Sequence, residues 1–94
     1  MGKAAYAENM RHRIQDFGFA IDSLRQKLED SVDGRTKVEL VGQLSQLEFR
    51  RHQMEAKLQD LEAEPTGSWS SLKAEFEQEW NDLIQDFEER LGGY

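Results

Sequence analysis

The sequence predicts an all-α fold: a three-helix up-down-up bundle built on an antiparallel coiled-coil hairpin, with completion by oligomerisation as the open alternative. Three observations predict it. Apolar residues recur at heptad spacing in two long stretches. A third stretch repeats every eleven residues. Between the stretches stand Asp33-Gly34 and Glu64-Pro65-Thr66-Gly67-Ser68, which read as a turn and a helix break. The 94 residues are read as a single helical domain, 1–94, with helix 1 at about 4–30, helix 2 at about 36–62 and helix 3 at about 69–91.

In helix 1, Met10, Ile14, Phe17, Ile21, Leu24 and Leu28 follow a 4-3-4-3-4 spacing, a seam of alternating a and d positions. In helix 2, Leu40, Leu44, Leu47, Arg51, Met54, Leu58 and Leu61 repeat that spacing. Thr36-Lys37-Val38-Glu39 reads as a capping box at its start. The two seams do not belong to one continuous helix. Extending the first in heptads misses the second by two residues, about 200° around a helix, so the stripe would jump to the opposite face. A turn at Asp33-Gly34 removes the conflict.

Pro65 ends helix 2 and Ser68 is the expected cap of helix 3. There Trp69, Leu72 and Phe76 recur as Trp80, Leu83 and Phe87, and more loosely as Leu91 and Tyr94. Eleven residues over three turns give about 3.67 per turn, a nearly straight stripe. Gly92-Gly93 supply the expected stop. Rods of about 35 to 40 Å joined by short loops pack as neighbours in a bundle.

Charge is unevenly distributed. The net charge is -7, and residues 66–94 alone carry -5, seven acids against two bases. This balance argues against nucleic acid as a partner. Folding the chain about residues 32 and 65 brings Arg11-His12-Arg13 and Arg50-Arg51-His52 to the level of Glu79, Trp80 and Asp82. A basic belt on the hairpin would then face the acidic middle of helix 3. Arg51, at a seam position among leucines, has two readings. Its stem packs while its head reaches a carboxylate on a neighbouring helix, or it fixes register and oligomeric state as a polar a-position residue can.

No chemistry stands out. With no cysteine there is no thiolate ligand, disulfide or cysteine nucleophile. His12 and His52 fall at heptad positions f and b, away from the seam, and neither is part of a Glu-x-x-His motif, so no metal site is expected. Ser68, Ser70 and Ser71 lack a histidine nearby in sequence, and Glu88-Glu89 reads as a solvated helix face. No catalytic residue, cofactor or phosphate loop is assigned, and an enzyme is not expected. No apolar window approaches a secretory signal or a membrane span, so the expected location is cytoplasmic.

Trp69-Ser70-Ser71-Leu72-Lys73 followed by Trp80-Asn81-Asp82-Leu83 resembles the C-terminal helix of small uncharacterised bacterial coiled-coil proteins. That resemblance implies a bacterial source and a charged hairpin followed by one more helix, and it brings no activity with it. The expected function is a structural or protein-interaction module acting through helix–helix association. The partner would be a second copy of the chain, as a homo-oligomer, or another helical protein. Trp69, Leu72, Phe76, Trp80, Leu83 and Phe87 are the candidate interaction face, and Arg51 is the candidate register residue. The alternative is a peripheral binder of a lipid or hydrophobic granule surface through the aromatic face of helix 3. The acidic polar side of that helix disfavours an anionic membrane.

Overall fold

The computed structural model describes residues 2–31 and 33–92. It is an all-α three-helix bundle, α1 Lys3–Ser31, α2 Gly34–Ala63 and α3 Thr66–Leu91, with no strand among the described residues. Helices of 29, 30 and 26 residues lie side by side in a rod of 52 × 19 × 17 Å. No helix is long and apolar enough, among the described residues, to cross a membrane.

The heptad seams are the core. Met10, Ile14, Phe17, Ile21, Leu24 and Leu28 of α1 are buried, as are Leu40, Leu44, Leu47, Met54, Leu58 and Leu61 of α2. Ala7 extends the α1 seam by one position, three residues toward the N-terminus. From α3 come Phe76, Trp80, Leu83 and Leu91. Each large apolar side chain removed from water contributes about 1.5–3 kcal/mol, which makes these stripes the main source of stability.

Both helix starts differ from the sequence expectation. The N-cap of α2 is Asp33, whose extended backbone lets Oδ1 accept from the Thr36 N–H at 2.8 Å. The helix therefore begins at Gly34, and Thr36 lies in its first turn instead of capping it. Aspartate caps at least as well as threonine, and here it stands three residues earlier. At the second corner α2 ends at Ala63 and Pro65 is the N-cap of α3, with no side-chain cap bond. Ser68 is already inside the helix, and its hydroxyl donates to Glu64 Oε2 at 3.1 Å across the corner. The Lys3 ammonium donates to the Glu64 carbonyl and ties the start of α1 to the same corner. Gly92 closes α3 with its N–H on the Glu88 carbonyl at 3.0 Å. Gly93 and Tyr94 lie outside the described residues.

The helices are unevenly spaced. α1 packs against α2 and α2 against α3, but no Cα of α1 lies within 8 Å of a Cα of α3 among the described residues. The wider gap is bridged by rings. Phe17 meets Trp80 and Phe87 edge to face at 5.8 and 5.2 Å, and Tyr6 meets Trp69 at 5.6 Å. Tyr6 and Phe17 are eleven residues apart, as are Trp69 and Trp80. Two parallel helices thus present rings at the same interval and match them in pairs.

Candidate functional site

The six residues of the candidate interaction face point inward. Phe76, Trp80 and Leu83 are buried, while Trp69, Leu72 and Phe87 are partly buried against the same cluster. Within one chain they close the bundle.

Arg51 organises a second cluster. Its side chain is 15% exposed and runs over the backbone of α1 at Gly18. A Cβ there would stand 3.0 Å from Arg51 Nε and Cζ, so only glycine leaves the guanidinium its place without displacement. The head binds its own helix, unlike the expected reach to a neighbour. Nε donates to Glu48 Oε1 at 3.0 Å and Nη1 to Glu55 Oε1 at 2.5 Å, and Nη2 also pairs with Glu48. Carboxylates three and four residues away on a helix lie within reach of a seam arginine, which makes the intrahelical pairs cheap to form. Arg11 pairs with Glu62 along the same α1–α2 groove. The bonds from Arg51 hold the Glu48 carboxyl below its ordinary value of 4.5, and the same pairing raises the Arg51 guanidinium.

Two further pairs cross from α2 to α3: Arg50 with Asp86 at 2.6 Å, and Lys57 with Glu79. The basic side of α2 does meet acids of α3. Arg11 and Arg51 do not take part, because both are engaged on the α1–α2 side.

The third cluster was not legible in the sequence. Lys73 Nζ lies 4.8 Å from the Tyr6 ring centre and 5.3 Å from that of Trp69. The two rings stand at 84° to each other. The Tyr6 hydroxyl donates to Glu77 Oε1 at 3.0 Å. Burial, followed by the bond to and charge of Glu77, raises the phenol well above its ordinary value of 10.0. The sequence shows Trp69 and Lys73 four residues apart on α3, but nothing in it places Tyr6 beside them.

His52 Nε2 lies 3.3 Å from Glu48 Oε1, within the Arg51 cluster, and His12 is exposed on α1. No group of three or more metal-ligating side chains gathers among the described residues. Two surface clefts of about 380 and 430 Å³ border α2, and neither histidine lines either of them.

These carboxylates predict an acid limit to stability. Glu48, Asp33 and Asp86 all titrate below their ordinary values, held down by bonds from Arg51, the Thr36 N–H and Arg50 respectively. A group depressed on folding stabilises the native state above its unfolded pKa, and that contribution disappears as pH falls through the folded value. Thermal melts followed by circular dichroism should therefore give a flat Tm from neutral pH down to about 5 and a falling one below about 4. In Glu48→Gln the fall should be shallower. A Tm that rises on acidification would contradict the assignment of these pairs.

Compared with known proteins, the chain matches no family model, and no curated protein or solved structure matches it.

Proposed function

We propose that the chain is a structural or protein-interaction module that works by helix–helix association through the outer faces of its hairpin. The observation that carries this reading is the pair Phe19 and Phe49, 60% and 65% exposed. Each sits at heptad position f, Phe19 between Ile14 and Ile21 and Phe49 between Leu44 and Arg51, so each points away from the seam it follows. Single exposed apolar residues are common on soluble proteins. The weight here rests on two large rings at equivalent positions of both hairpin helices. Rings of this kind serve as anchors when a second surface covers them.

A second copy of the chain and another helical protein are both suitable partners. The lipid or granule reading relies on the aromatic side of α3, which packs against α1 and α2. Contact with a lipid surface through its buried part, Phe76, Trp80 and Leu83, would require α3 to leave the hairpin.

Light scattering after gel filtration tests the proposal. The parent chain should show a mass above 11.0 kDa that rises with concentration. The Phe19→Ala/Phe49→Ala variant should return to the monomer with stability changed by less than about 1 kcal/mol, since both sites are exposed. A parent that stays monomeric moves the partner to another helical protein. A double variant that associates as the parent does removes the two rings from the interface.

A further inference from the structure

We propose that Tyr6 and Trp69 form a recognition site for a trimethylammonium zwitterion such as phosphocholine, in which Lys73 is the resting occupant. This inference is independent of the association reading above. Two electron-rich rings at 84°, 5.6 Å apart, with an ammonium 4.8 and 5.3 Å from their centres, have the arrangement by which proteins hold quaternary ammonium groups. Glu77 completes the cationic half. By accepting from the Tyr6 hydroxyl at 3.0 Å it places a carboxylate at the edge of the box and makes the phenol ring a better cation acceptor. Tyr6, Trp69 and Lys73 are each partly exposed, so the occupant can leave into solvent without breaking the core.

The anionic half lies next to it. Tyr6 and Glu77 also line a cleft of about 320 Å³ whose other walls include Asn9, Arg13 and Asn81. Arg13 is exposed and makes no ion pair among the described residues, although its charge acts on Tyr6. A cation box beside a guanidinium without an ion pair among the described residues, and two amides, suits a ligand carrying a trimethylammonium at one end and a phosphate or carboxylate at the other. Lys73 is the weaker competitor, because its ammonium is strongly hydrated and gives up more to water when it leans on a ring.

The occupant should be easy to displace. A partly exposed cation–π contact corresponds to about a two- to fivefold factor in binding. Titration of phosphocholine, followed by the Trp69 indole N–H resonance, should give saturable millimolar binding. Lys73→Ala should bind about two- to fivefold more tightly than the parent. Arg13→Gln should weaken phosphocholine and leave tetramethylammonium unchanged. Trp69→Leu, with helical circular dichroism retained, should abolish both. Phosphatidylcholine vesicles form the second arm: flotation that free phosphocholine competes away marks a lipid head group as the source, and binding of the free compound alone marks a soluble ligand. A Trp69 resonance unmoved in both the parent and Lys73→Ala overturns the proposal. So does an equal shift with 3,3-dimethylbutanol, the neutral counterpart of choline.

Discussion

Replacing Trp80 with alanine is expected to cost about 3–5 kcal/mol, the usual range for removing a large buried aromatic. Trp80 is 7% exposed and stands edge to face with Phe17 across the widest gap of the bundle. Because no Cα of α1 comes within 8 Å of a Cα of α3 among the described residues, neighbouring atoms cannot collapse into the space without shifting a whole helix. The lost ring pair adds to the lost burial. For a chain of this size each kcal/mol corresponds to about 4–8 °C, so the Tm should fall by at least about 12 °C. Trp80→Phe keeps a ring opposite Phe17 and should lose less than half as much. Urea and thermal unfolding would check both variants. A loss below about 1 kcal/mol for Trp80→Ala would mean that α3 is not held by this contact.

The second expectation concerns Gly18 and Arg51. In an exposed helix interior, glycine to alanine gains about 1 kcal/mol. At Gly18 that gain is opposed, since the new methyl group meets Arg51 Nε and Cζ at 3.0 Å and Cδ at 3.3 Å. The guanidinium can yield by a few tenths of an ångström, so Gly18→Ala should remain within about 1 kcal/mol of the parent. Valine cannot be absorbed in this way. Its branches would occupy the space of the Arg51 head and force it off Glu48 and Glu55, at a cost of about 1–3 kcal/mol. The decisive comparison is a double-mutant cycle with Arg51→Ala. Once the arginine is shortened, valine at position 18 should cost much less, giving a coupling well above the roughly 0.5 kcal/mol scatter of independent sites. Additive losses would show that the two positions do not interact.

Gly18 also marks the limit of the sequence reading. The seam residues from Met10 to Leu28 and from Leu40 to Leu61, Arg51 apart, could be assigned to the core because a heptad stripe needs only its own helix to define it. The eleven-residue spacing likewise marks Phe76, Trp80 and Leu83 as one stripe of α3, but the sequence offered that stripe as an interaction face, and only the neighbouring helices place it in the core. What depends on another helix was not legible. A lone glycine in mid-helix carries no signal of the arginine 33 positions later that needs its missing side chain. Tyr6 reads as one polar-tipped residue near a terminus until α3 returns beside it. Thr36 illustrates a different failure, two valid caps three residues apart, of which the earlier prevails because the helix continues back as far as a cap can hold it.

The matched rings of α1 and α3 also bear on how the chain selects one alignment over another. A stripe that repeats every eleven residues is nearly unchanged by an eleven-residue slip. Sliding α3 along α1 by one repeat would set Trp80 opposite Tyr6 and Leu91 opposite Phe17, with apolar residues still facing each other. Such a slip moves the helix about 16 Å. The connection from Ala63 to Thr66 contains only Glu64 and Pro65 and spans at most about 11 Å when fully stretched. The short corner therefore acts as a ruler, discarding an alignment that the packing surface alone would accept. Lengthening it by a few glycines would restore the degeneracy, leaving the Arg50–Asp86 and Lys57–Glu79 pairs to choose between two nearly equivalent bundles.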